Sequence, residues 1–283
     1  MYEEIFESIR AAAAKRNLKE STAGAYCRTV KYFMDTIGKV SLAELTMEDA
    51  ESFLMEKQLS GVRPETYNHC HSAIKFLYRR LLKALWDDDA IPRMKNDRSL
   101  PTVLTKAEVE AIPAATKNLK HRAMLATMYS GGLRVSELVH LHYDDISRTH
   151  HSIHIRNSKS RVDRYTILAD RTPGLLTEYW FACGKPRDIL FPGSYSGSYL
   201  DKNTVNQFLK KSAEKAGIKK HLSTHALRHS FASHLLESGC DIKYIQALLG
   251  HVDPKSTEVY LHVSDKTLLG IKSPFDSPEA ERG

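Results

Sequence analysis

The chain reads as a mostly α-helical protein of two domains, the second carrying a small β-sheet. Three observations predict this. Apolar residues recur at helical intervals through the first 86 positions. The periodicity then stops in WDDDAIPRMKNDRSLPTVLT, with its acidic run, mixed charge and prolines at 92 and 101. Alternation with a period of two occurs only between 151 and 168. A length of 283 residues suffices for two separate cores. The expected division is a helical domain over 1–88, a linker over 89–101 and a second domain over 102–283 that ends in a tail.

In the first domain about four helices are expected. Tyr26, Val30 and Phe33 share one helical face, as do Phe53 with Leu54, and Ile74, Leu77, Tyr78, Leu81 and Leu82; Gly38 and Gly61 interrupt these runs. Thr46 followed by Asp49 has the spacing of a capping box, with aspartate in place of glutamate. In the second domain Thr105 with Glu108 marks a helix start, and LKHRAMLATMYS stays helical up to Gly131-Gly132. Ile153 and Ile155, then Tyr165 and Ile167, alternate as two short strands with Lys159 near their turn. Helical spacing returns at Val205, Phe208 and Leu209, at Leu227, Phe231 and Leu235, and at Ile242, Ile245, Leu248 and Leu249. The closing SPFDSPEAERG reads as a flexible tail.

Composition narrows the class. Hydrophobic residues at 42% and charged residues at 27% fit a folded globular protein rather than a disordered or fibrous one. The 41 Lys and Arg outnumber the 34 Asp and Glu, which points to an anionic partner such as nucleic acid. The excess lies in the second part: residues 1–98 hold 16 basic and 15 acidic groups, and 99–283 hold 25 and 19. Cys27, Cys70, Cys183 and Cys240 lie far apart without a C-x-x-C pair, which argues against a disulfide framework and for reduced core thiols. The N-terminus MYEEIFESIR lacks the basic, then apolar pattern of a leader, and no apolar stretch approaches the ~18 residues that a membrane helix needs. The expectation is a soluble, cytoplasmic protein.

Four short motifs carry chemistry. In THALRH a cap at Ser223 or Thr224 would place His225 and Arg228 one turn apart at a helix start, where backbone N–H groups favour an anion. In LLGH, Gly250 would end a helix as a left-handed cap and leave His251 just beyond it, with Tyr260 nine residues later. In GGLRVSEL the paired glycines permit a sharp turn or close approach, and Glu137 stands three residues after Arg134, in reach of its guanidinium. In SKSRVDRY, Lys159 sits at the hairpin turn. Alone, each has a plain reading: a chance H-x-x-R, a satisfied cap, a surface ion pair, a solvated lysine. Together they supply what phosphoryl transfer without a metal requires: arginine forks for phosphate oxygens, imidazoles and an amine to move protons, and a phenol as covalent nucleophile.

Arg134 in GGLRVSEL, Lys159 about 25 residues on, His225 and Arg228 in H-x-x-R, His251 in LLGH and Tyr260 nine further resemble the tyrosine recombinase (phage integrase) family in order and spacing. The match is most similar to its Xer group of chromosome-dimer resolvases. KSRVDRYTIL resembles the family's β-hairpin, although Val162 stands where a second lysine is common and Ser160 where a glycine often follows the lysine.

The resemblance implies a core-binding (SAM-like) N-terminal domain and a catalytic C-terminal domain acting on double-stranded DNA with an inverted-arm site. Tyr260 would form a 3′-phosphotyrosyl bond, Arg134 and Arg228 would hold the non-bridging oxygens, and His251 would add a hydrogen bond. Lys159 would protonate the leaving oxygen, His225 would assist at the tyrosine, and Glu137 would position Arg134. No ATP, metal or cofactor is implied. Four protomers would pass through a Holliday junction, coupled by the SDKTLLGI segment docking into a neighbour. The nearest alternative is a type IB-like topoisomerase with a similar residue set. A metalloenzyme, prompted by His140, His142, His150, His151, His154, His221 and His225, lacks a completing ligand at familiar spacing. An accessory protein that has lost catalysis is the third.

Overall fold

A computed structural model describes residues 2–95, 101–156, 163–185, 187–195 and 197–250. It is mostly helical, with one three-stranded sheet, and divides into two compact units, 1–99 and 100–283.

The first unit is a bundle of α1 (Glu3–Ala14), α2 (Glu20–Ile37), α3 (Met47–Leu59) and α4 (Pro64–Leu77). In α2 the buried Ala23, Cys27, Val30, Phe33 and Met34 recur at helical intervals, so one stripe faces the core. Each large apolar side chain buried there contributes about 2–3 kcal/mol. Gly38 ends α2 at φ 71°, a left-handed conformation that glycine adopts without a Cβ penalty. The capping box at α3 forms as expected: Thr46 accepts from Asp49 N–H and Asp49 accepts from Thr46 N–H, and the carboxylate also meets Lys39 Nζ at 2.6 Å. α4 runs into a wider π turn, Tyr78–Leu82.

The stretch read as a connector is ordered against this unit as far as Met94. Ile91 is buried in the core and its carbonyl lies 2.8 Å from His71 Nε2. Tyr67 donates to Pro92 O, and Asn68 exchanges two hydrogen bonds with Met94. A polar, proline-bearing string thus gains order from single anchors that no periodicity records.

The second unit contains α5 (Lys106–Ala114), α6 (Leu119–Gly131), the one-turn α7 (Val135–Leu138), strands β1 (Ile146–Ser147), β2 (Ser152–Ile155) and β3 (Arg164–Ile167), then α8 (Thr172–Ala182), α9 (Lys202–Lys215), α10 (Thr224–Glu237) and α11 (Ile242–Leu249). Thr105 and Glu108 make the expected box at α5. The strands are antiparallel in the order β1-β2-β3, with Ile153 opposite Thr166 and Ile155 opposite Arg164.

The strands are where alternation placed them, but the face of β3 is reversed. Tyr165 and Ile167 are 67% and 42% exposed, whereas Thr166 and Leu168 are buried. Register decides this, because a residue opposite the buried Ile153 must share its face. The inward hydroxyl of Thr166 is satisfied by donating to Gly131 O at 2.9 Å.

Candidate active site

The site grows from the turn between α6 and α7. A Cβ on Gly131 would lie 3.0 Å from Ile153 and Thr166, so its bare backbone lets α6 end against the sheet. Gly132 turns at φ 60°, and a Cβ there would lie 2.4 Å from the Phe231 ring. The turn leaves Arg134 as the extended residue preceding α7, and Glu137 closes the cap: Arg134 N–H donates to Oε2 at 2.9 Å and Arg134 Nη1 to Oε1 at 2.8 Å. The expected pairing of Arg134 with Glu137 is therefore present. It is no exposed ion pair, since Glu137 is only 8% exposed.

Two further guanidiniums converge on this carboxylate. Arg164, at the start of β3, donates from Nη1 and Nη2 to the two oxygens at 2.9 Å each. Arg228, in the first turns of α10, has Nη1 3.8 Å from Oε2 and donates to Gly132 O at 2.8 Å. All three arginines also reach the end of α11, where the last helical carbonyls have no partner within the helix. Arg164 Nε donates to Leu248 O at 2.8 Å, Arg228 Nη2 to Leu249 O at 2.6 Å and Arg134 Nη1 to Leu249 O at 3.4 Å. Gly250 follows at φ 64° as the expected left-handed cap.

Burial alone would raise the Glu137 carboxyl. The hydrogen bonds and charge of Arg164, with the Arg134 amide and the Arg228 charge, overcome it and hold the group down at about 2. It is an anion at any physiological pH. One negative charge stands against three positive ones, so the cluster keeps a positive surplus beside a helix end, where a phosphate can be bound by guanidinium forks. Arg134 faces outward most, at 17% side-chain exposure, and its Nε and Nη2 make no hydrogen bond among the described residues.

His225 and Arg228 lie one turn apart on α10, with the imidazole exposed and the guanidinium buried. The expected hydroxyl cap is not formed: Ser223 makes no capping bond, and Asn206 of α9 accepts from Thr224 N–H at 3.0 Å instead. A tertiary contact has taken the cap's place. Beside Arg228, His229 is held at about 4 by burial, aided by the positive potential of His225 and Arg228, so it is neutral near pH 7. Lys159, His251 and Tyr260 lie outside the described residues.

Arg164 is the functional candidate that the sequence reading missed. Its signal was parity: positions 164, 166 and 168 share the inward face of β3, and an arginine on a buried face demands a carboxylate. Three of the histidines that suggested a metal have other partners. His142 Nδ1 meets Asp188 at 2.8 Å, His151 Nδ1 meets Asp170 at 2.8 Å, and His154 stacks on Tyr165. Among the described residues no three His, Cys, Asp or Glu side chains come together as a metal site. No helix among them is long and apolar enough to cross a membrane.

Residues 102–267 match the phage integrase family, and residues 2–88 match the phage integrase N-terminal SAM-like domain. Tyrosine recombinase XerD of Yersinia pestis is 31% identical over 272 residues, covering 90% of each chain. In structure the chain resembles XerH site-specific recombinase bound to palindromic difH substrate in a post-cleavage complex, with a TM-score of 0.71 at 21% identity over 92% of this chain and 81% of that one. It resembles equally a lambda integrase tetramer bound to a Holliday junction, with a TM-score of 0.71 at 18% identity over 90% and 75% of the two chains.

Proposed function

The chain belongs to the phage integrase family, the tyrosine recombinases, and from that premise we propose that it is an Xer-like site-specific recombinase acting on double-stranded DNA. The observation that carries this reading is the buried cluster of Arg134, Arg164 and Arg228 around the single carboxylate of Glu137. It offers a preorganised positive surplus where charge develops on a pentavalent phosphorus.

In the proposed reaction the Tyr260 oxygen attacks a DNA phosphodiester. A bond from tyrosine oxygen to phosphorus forms as the bond to the 5′-oxygen breaks, leaving a 3′-phosphotyrosyl enzyme and a 5′-hydroxyl. His225 assists removal of the phenol proton, and Lys159 protonates the leaving oxygen. Arg134 and Arg228 hold the non-bridging oxygens, and His251 donates to one of them. The energy of the phosphoester bond is retained in the phosphotyrosyl link, so rejoining draws on no ATP.

Four protomers would exchange strands in pairs through a Holliday junction, with resolution of chromosome dimers as the cellular use. The segment SDKTLLGI would couple protomers by docking into a neighbour. A cavity of about 390 Å³, lined in part by Val109, Pro113, Leu125, Leu175, Phe231 and Leu235, supports that reading, since it would suit the leucines and isoleucine of a neighbour's segment.

The test is a duplex selected on the protein from a random-sequence library, nicked near the scissile bond. Wild type should trap an adduct that survives denaturant, and Tyr260→Phe should trap none. An adduct persisting in that variant identifies another nucleophile. Arg134→Lys should keep binding while cleavage falls by about a hundredfold, because a point charge does not reproduce a two-pronged fork.

A further inference from the structure

Arg164 differs from its two neighbours in how its guanidinium is used. Both Nη atoms are committed to Glu137 and Nε to Leu248 O, and the side chain is only 8% exposed. By contrast, Arg134 makes no bond from Nε or Nη2 among the described residues. The path of Arg164 is also reserved by the backbone it crosses. A Cβ on Gly250 would lie 2.9 Å from its Cδ, 3.1 Å from Nε and 3.2 Å from Nη1, so this glycine leaves room for the arginine as well as turning at positive φ.

A carboxylate amid three guanidiniums must share its charge among them. Glu137 gives a two-pronged pair to Arg164, one Nη1 contact to Arg134, and only a 3.8 Å approach to Arg228. Because a carboxylate oxygen engaged by one fork interacts less with others, Arg164 limits how far Glu137 neutralises the remaining two. We infer that Arg164 is a positioning residue, which occupies Glu137 so that Arg134 and Arg228 keep their charge and direction for the scissile phosphate. It does not touch the phosphate itself. This rests on the function proposed above and adds a role for a residue outside the expected catalytic set.

If Arg164 works through Glu137, its removal should matter only while Glu137 is an anion. The experiment is a double-mutant cycle of Arg164→Met and Glu137→Gln, read as the rate of adduct formation on the nicked duplex, with thermal unfolding and DNA binding measured in parallel. Arg164→Met alone should slow cleavage by about a hundredfold, the scale expected when a site group is displaced by an ångström. In the Glu137→Gln background the same change should cost less than about threefold, since the neutral amide no longer competes for the other two arginines.

Should Arg164→Met alone fail to fold, the comparison within the Glu137→Gln background decides, because neither of its two proteins buries an unpaired Glu137 charge. A further large loss there would mean that Arg164 meets the phosphate or serves the fold independently of Glu137, and would overturn the inference. So would a folded Arg164→Met that cleaves like wild type. Absence of any adduct with wild type would instead refute the proposed function.

Discussion

The two units bury different things. Tyrosine and cysteine aside, the first has one buried polar side chain among the described residues, His71, whereas the second has thirteen, including Glu137, Asp145 and Arg228. The first core is closed by Phe33, Phe53, Tyr67, Leu77 and Tyr78, with Phe33 and Phe53 edge to face at 5.0 Å. The second is threaded with bonds such as Ser230 Oγ accepting from Leu104 N–H at 2.8 Å and Ser130 Oγ from Ala169 N–H at 2.5 Å. An apolar core can be repacked by volume. A polar one must be satisfied atom by atom, and that requirement places three arginines together.

The largest test sets one core against the other. Phe33→Ala should destabilise the first unit by about 3–5 kcal/mol through the cavity it leaves. Glu137→Ala should cost the second about 3–5 kcal/mol by leaving its arginines unpaired. Hydrogen exchange resolved by unit should separate the losses. Only Glu137→Ala should abolish adduct formation under conditions where the protein remains folded. Equal catalytic damage from both would erase the distinction.

Acid should sharpen the contrast next. The folded pKa of His229 lies below that of the unfolded side chain, so the unfolded chain takes up the proton first, and this contribution is lost as pH falls from 6.5 towards about 4. The Glu137 contribution, about 3 kcal/mol from its shift of 4.5 to about 2, is lost over that lower window. Urea midpoints of the second unit should fall through both windows, and His229→Gln should lessen the fall in the upper one, to which His121 and His234, also lowered by burial, contribute. A midpoint unchanged between pH 6.5 and 4.5 would contradict the burial of His229.

The smallest effect should be the same in both units. Thr46→Ala and Thr105→Ala each remove a capping-box hydroxyl and should cost about 1 kcal/mol in thermal or urea unfolding. A cap is a local device, indifferent to the core beneath it. A several-fold difference between the two would show that the surrounding tertiary structure reaches even these helix ends.

Legibility followed the same line. The helices of the first unit were readable because each buried stripe repeats along its own helix, as Val30 and Phe33 do. Both capping boxes and the Gly250 cap were readable because they span only a few residues. Anchors such as Ile91 were not, since one buried residue makes no period. The cap of α10 was misread because Asn206, 18 residues before Thr224, displaced the local hydroxyls.

The sequence by itself determined the helical class, the chemical types of the candidate site, and the Arg134–Glu137 pair that a three-residue spacing enforces. Tertiary structure alone decided which face of β3 turns inward, because that depends on pairing with β2 and not on the strand's own alternation. The same decision carried Arg164 to Glu137, 27 residues away along the chain, and gave the site its third guanidinium. Spacing records neighbours along a helix or strand. Charge balance in a buried cluster belongs to the set that the fold brings together.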